Sequence, residues 1–169
     1  RFVGVTDALE TFHAQAEVNA AAGRHNFVVG AGVRTTKDLF VNNAKAFVLT
    51  PESMRLWIVN GFVQDEIALG AGLDLIAGVK LENSSFSGLE VLPNLRLAWQ
   101  ASDHTLLWSS ISRAVRTPSR IDRQLIFLPL LPPASDFRSE EVTAIEAGYR
   151  GSPTDSTTLS LSVFYNLYD

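Results

Sequence analysis

The 169-residue chain contains no cysteine, one methionine and only 19% charged residues. Without cysteine there is no disulfide framework, no thiolate nucleophile and no Cys-based zinc site. Apolar runs are short as well: none approaches the ~18 residues of a membrane helix. The longest candidate, Leu125 to Pro133, is interrupted by Pro129, Pro132 and Pro133. A helical membrane protein is thereby excluded, whereas a β-barrel, whose strands need only ~9–11 alternating residues, is not. Basic character is lacking too. The formal charge of −4 leaves no electrostatic footprint for nucleic acid. Disorder is excluded from the other side, because 46% hydrophobic residues and a small net charge can bury apolar surface.

What the sequence does have is a period of two. From Thr11 to Ala20, Phe12, Ala14, Ala16, Val18 and Ala20 alternate with His13, Gln15, Glu17 and Asn19. Asn26 to Thr36 sets Phe27, Val29, Ala31 and Val33 against a glycine-rich face that includes Arg34. Leu56 to Leu69 is a longer strand. Leu73 to Glu82 places Lys80 and Glu82 on the polar side, and Asn94 to Gln100 does the same for Arg96 and Gln100. Thr105 to Ile111, Thr143 to Arg150 and Leu159 to Asn166 complete eight predicted antiparallel strands.

The predicted connections alternate in length. Turns near Ala22–His25, Gly70–Gly72, Ala101–His104 and Gly151–Ser156 are short. Lys37–Arg55, Asn83–Val91 and Ser112–Ser139 are long. In an up-and-down array, alternate connections lie at one end, so tight turns gather at one end and long loops at the other. That asymmetry and the long strands favour an outer-membrane barrel, although alternation alone suits a soluble barrel equally well.

Enzyme chemistry finds no support. Asp65-Glu66 and Glu140-Glu141 are adjacent, so a strand sends the two carboxylates of each pair to opposite faces. His13 and Glu17 share a face but stand ~13 Å apart, too far to share a metal. His25 and His104 fall in turns without an Asp-and-Ser constellation. Gly30-Ala31-Gly32 lies within a strand, where it permits curvature rather than cradling phosphate. No catalytic residue, metal site or cofactor is implied.

Arg113, Arg116, Arg120 and Arg123 form the most basic stretch. One reading is an electropositive loop for an anionic ligand or lipopolysaccharide phosphates. The other is a solvated loop base with Arg113 and Arg116 paired to carboxylates. Their spacing suits one helical face, but Pro118 disfavours a helix at Thr117. Trp57, Trp99, Trp108, Tyr149 and Tyr165 suit either interfacial girdles or ordinary packing.

Four phrases carry a family resemblance. Phe62-Val63-Gln64-Asp65-Glu66 before a tight turn resembles a phrase of the TonB-dependent outer-membrane receptors. Ser112-Arg113-Ala114-Val115-Arg116-Thr117-Pro118-Ser119 resembles their Ser-Arg-x-x-Arg-x-Pro-Ser stretch, with Ala114-Val115 where many members have Gly-Phe and Thr117 where many have Ala. Glu146-Ala147-Gly148-Tyr149-Arg150 and the strand through Val163-Phe164-Tyr165-Asn166 follow in the family's order. Together they span roughly residues 55 to 169.

The resemblance implies an importer in the outer membrane of a Gram-negative bacterium, built as a barrel of about 22 strands around an N-terminal plug. It further implies capture of a ferric siderophore or similar scarce nutrient by external loops, with energy supplied through TonB. The expectation is therefore an all-β, antiparallel, transmembrane barrel segment of about eight strands, with short periplasmic turns and long external loops. Residues 1–169 would be a partial barrel without the plug or the C-terminal strands. The chain opens at Arg1 and closes within a predicted strand, as a piece of something larger would. Lipid would face the apolar side, and His13, Gln15, Glu17, Arg34, Lys80, Glu82, Arg96 and Gln100 would face the lumen. The four arginines would serve an external ligand site. Expected partners are outer-membrane lipid, a small iron chelate or other nutrient and, through the plug, the TonB complex, with no nucleic acid. The alternatives are a small eight-stranded envelope barrel and a soluble ligand-binding barrel.

Overall fold

The computed structural model describes residues 6–42, 47–127, 136–154 and 156–169. Eight strands form one antiparallel sheet: β1 (Thr6–Ala22), β2 (His25–Val41), β4 (Ser53–Gly70), β5 (Leu73–Ser84), β6 (Gly88–Ser102), β7 (Thr105–Arg116), β9 (Glu140–Thr154) and β10 (Thr157–Tyr168). Each pairs with its neighbour in chain order. A separate two-stranded sheet joins β3 (Phe47–Leu49) to β8 (Leu125–Phe127), and α1 (Arg120–Gln124) precedes β8. All eight predicted strands are present, most of them longer at one or both ends than the alternation suggested. Among the described residues no helix is long and apolar enough to cross a membrane.

The sheet is an open arc. β1 pairs only with β2 and β10 only with β9, so a closed eight-stranded barrel is not what these strands build. Register gives the two faces. His13 opposes Arg34, Arg34 opposes Ile58, Asn60 opposes Glu82 and Gly78 opposes Asn94, so these residues share the polar face. Val18, Val29, Val63, Leu95, Trp99, Ile111, Ile145 and Val163 are exposed on the other face.

Exposure shows which way the arc curves. Along β4 the polar-face residues Met54, Leu56, Ile58, Asn60 and Phe62 are half-buried, whereas Arg55, Trp57, Val59 and Val63 on the other face are exposed. On the polar face Phe62 packs over Gly30 and Trp108 over Gly148. Side chains shield one another on the inner side of a curved sheet, so the polar face is concave and the apolar face convex. This is the reverse of a soluble barrel, which hides its apolar face inside.

Two expectations need correction. Asn83–Val91 is not a long loop: Ser84 already pairs with Gly88 across the turn 85–87. Pro93 disguised this strand, because proline reads as a breaker, yet here it sits opposite Val79. Trp108 does not share the apolar face with Trp57, Trp99, Tyr149 and Tyr165; it opposes Gly148 on the concave side. The end expected to carry three long loops thus carries two, on either side of a short hairpin. Their residues 43–46 and 128–135, including most of the apolar stretch Leu125–Pro133, lie outside the described residues.

Candidate functional site

Two places combine polar side chains with concavity. The first is a depression of about 480 Å³ on the concave face, lined by His13, Gln15, Arg34, Asn60, Lys80 and Glu82 among others. Four strands supply these six residues through simple alternation. Lys80 and Glu82, two apart and hence on one face, form an ion pair of 2.6 Å. Of the expected polar row, His13, Gln15, Arg34, Lys80 and Glu82 are brought together here. Glu17, Arg96 and Gln100 lie on the same face nearer the tight turns, with Gln100 lining a second depression alongside Arg150.

The second place is the end with the long connections, which holds the four arginines. Arg113 and Arg116 belong to β7, Arg120 and Arg123 to α1, so no common helical face exists. The helix starts only after Pro118. Ser119 caps it, accepting from the Asp122 amide while the Asp122 carboxylate accepts from the Ser119 amide at 2.8 Å. Donation from that amide, then from the Ser119 hydroxyl, and the nearby Arg116 charge hold the Asp122 carboxyl below its usual range.

Each arginine has assigned partners. The β6–β7 ladder stops at Asn94–Ser112, and the next residue of β6 is Pro93, which has no N–H to offer. Above that point the strands part, and Arg113 spans the split. It makes a two-pronged contact with Glu141 (2.5 and 3.1 Å) and reaches Glu90 at 3.3 Å. Arg116 lies between Glu140 (2.8 Å) and Asp122 (3.5 Å), and its side chain stays 58% exposed. Arg120 is buried against Asp38 at 2.9 Å and donates to Gln124 Oε1 and the Pro51 carbonyl. Arg123 donates to the Phe86 carbonyl at 3.1 Å, and its guanidinium lies 5.2 Å from the centre of the Phe86 ring.

The sequence reading that pairs Arg113 and Arg116 with carboxylates does not say which carboxylates they are. Glu140 and Glu141, considered there as a catalytic pair, point apart, each to a different arginine. Ser119-x-x-Asp122 is a capping signature visible in the sequence. Asp38 gave no signal, because its partner lies on a distant loop. His25 also has an acidic partner: Nδ1 lies 2.6 Å from Asp65 Oδ2, and its ring stacks on Phe27. This pair sits on the apolar face near the tight turns, with no nucleophile between its members. Among the described residues no group of three or more His, Asp or Glu is placed to hold a metal.

Comparison with known proteins accords with this geometry. The sequence matches the family described as TonB dependent receptor-like, beta-barrel, over residues 4–169. No curated protein matches it. Among solved structures it is similar to the siderophore receptor PirA from Pseudomonas aeruginosa, with a TM-score of 0.82, 21% identity and coverage of 96% of this chain and 32% of that one. It is also similar to a variant of the ferric enterobactin receptor PfeA from the same organism, with a TM-score of 0.79, 18% identity and coverage of 96% and 27%. PirA from Acinetobacter baumannii gives a TM-score of 0.73 at 18% identity, again covering 96% and 27%. At these identities the likeness shows the fold. The chain spans a third or less of the length of these structures. The matched family and the similar structures are receptors, not enzymes.

Proposed function

The chain belongs to the TonB-dependent receptor-like β-barrel family, and from that premise we propose that it is part of an outer-membrane receptor that takes up a ferric siderophore or similar iron chelate with energy from TonB. The observation that carries this reading is the inverted arc: a convex apolar face and a concave polar one, the arrangement lipid outside and water inside demand. An Arg or Lys at the lipid midplane costs about 2–4 kcal/mol, so the polar row must face inward. Its inward residues, from His13 and Arg34 to Arg96 and Gln100, form the wall of the lumen. The tight turns face the periplasm and the long loops the outside. The remaining strands, the plug and the TonB-contacting segment belong to the rest of the receptor, and the iron belongs to the cargo.

Among the four arginines, Arg113 and Arg120 hold the outer end together, because their charges are enclosed by carboxylates and carbonyls. Arg116 is the most exposed of the ion-paired three, though held between Glu140 and Asp122, and is our candidate for contact with an anionic chelate; Arg123 stands beside Phe86. The test is uptake of radio-iron as ferric enterobactin by cells expressing the full-length receptor, with and without TonB. Uptake that requires both receptor and TonB, with weaker binding in Arg116→Ala, supports the proposal. Uptake independent of TonB contradicts the energised step.

A further inference from the structure

The two long loops do not stand apart. The first leaves β2 and contributes β3; the second leaves β7 and contributes α1 and β8. Three strand spacings, about 15 Å, separate β7 from β4 across the sheet. The second loop nevertheless crosses that gap over the short β5–β6 hairpin. It is fastened at every stage. Arg123 grips Phe86 at the hairpin tip, Gln124 accepts from the Thr50 amide and reaches Met54, and β8 pairs with β3. Asp38 and Met54 oppose each other on the face that also carries Arg34 and Ile58. The crossing segment is thus seated on the concave side, beyond the depression.

We infer that this segment is a strap latched across the outer end of the concave face by the Arg120–Asp38 pair, and that it opens as one body to admit solute to the wall beneath. The inference rests on the concave face being the lumen. The chemistry of the latch supports it. Both side chains are buried, yet Asp38 Oδ1 has no hydrogen-bond partner, and Arg120 Nη1 meets Asp38 as a charge contact not aligned as a hydrogen bond. A buried pair with unmet hydrogen bonds gains little over two hydrated ions, whereas either ion buried alone is heavily penalised. Half-open states are therefore disfavoured. The strap is either closed with both charges paired or open with both in water.

The experiment uses the full-length receptor in intact cells. Leu56→Cys, next below Met54 on the concave face, reports access beneath the strap to a membrane-impermeant maleimide; Ser87→Cys, at the hairpin tip, reports the outer surface. In a Leu56→Cys background, Asp38→Ala is expected to label about tenfold faster than the latched Leu56→Cys parent, and the exchanged pair Asp38→Arg with Arg120→Asp closer to the parent. Val48 and Ile126 lie directly opposite each other, so Val48→Cys with Ile126→Cys can form a disulfide that holds the strap shut. Labelling below that strap should be slow until reductant is added and removed. Equal labelling in the parent, Asp38→Ala and the disulfide-held protein, with Ser87→Cys labelled, overturns the latch and leaves the receptor reading standing. Failure of Ser87→Cys to label from outside overturns the assigned topology and the latch with it.

Discussion

The sheet and the loop end are stabilised in opposite ways. Over the sheet's own faces the largest apolar side chains remain exposed, many of them about half, and order comes from ladders between neighbouring strands. The loop end is small, yet it holds the only buried hydrophobic residues among those described, Phe40 and Leu49, together with the buried Arg120–Asp38 pair. A soluble domain gathers its core between layers. In the proposed receptor, lipid covers the sheet on one side and the lumen lies on the other. The loop end must make its own interior because water surrounds it. The same chain thus obeys two solvents, and a substitution should act according to which one its side chain meets.

The largest expected effect is at the loop end. Arg120→Met leaves Asp38 buried without its cation, at a cost of about 3–5 kcal/mol to the closed strap. Amide exchange at Thr50, whose N–H reaches Gln124, should speed up accordingly. Adding Asp38→Leu should restore most of the protection, since two apolar groups replace the pair. If Arg120→Met leaves exchange at Thr50 unchanged, the loop end is not held by this contact.

On the sheet the contrast can be drawn within two adjacent residues. Val29 lies on the convex face and Val28 on the concave one. Val29→Arg should cost the folded receptor about 2–4 kcal/mol in lipid vesicles, measured by denaturant titration. Val28→Arg should cost far less. Equal costs would mean that the two faces meet similar surroundings.

Smaller effects belong to the cap of α1. Ser119→Ala removes the hydroxyl that accepts from the Asp122 amide, worth about 1 kcal/mol, and should be visible as faster exchange of that amide alone. Because the Asp122 carboxyl titrates below its usual range in the folded loop, its contribution is complete above about pH 4 and disappears as the pH falls through the lowered value. The first turn of α1 should therefore loosen in acid. Asp122→Asn, compared at the same pH values, should remove that dependence while leaving the strands unaffected.

The eight strands were legible because alternation is a local signal: each residue declares its face through its neighbours two positions away. Extents were less so. Beyond Thr36 the polar residues Lys37 and Asp38 look like loop, yet they continue β2 against Arg55 and Met54. Pro93 and the run Ser84-Ser85 masked the β5–β6 hairpin for a similar reason. The strap was hidden for a deeper one. Asp38, in β2, and Arg120 meet only because the second loop crosses the hairpin between them, and no pattern local to either residue foretells that encounter. The arginine cluster itself was visible, but the carboxylates that enclose it come from β2, β6, β9 and α1.

The most direct test of the central claim uses the absence of cysteine from these 169 residues. Single Cys substitutions from Phe62 to Ile67 in the full-length receptor, with any cysteine outside this segment replaced by Ser and the protein reconstituted in lipid vesicles, would be labelled with a water-soluble and a lipid-soluble maleimide. The account predicts strict alternation: positions 62, 64 and 66 respond to the water-soluble reagent and positions 63, 65 and 67 to the lipid-soluble one. Uniform labelling along β4, or alternation with the two reagents exchanged, would contradict it.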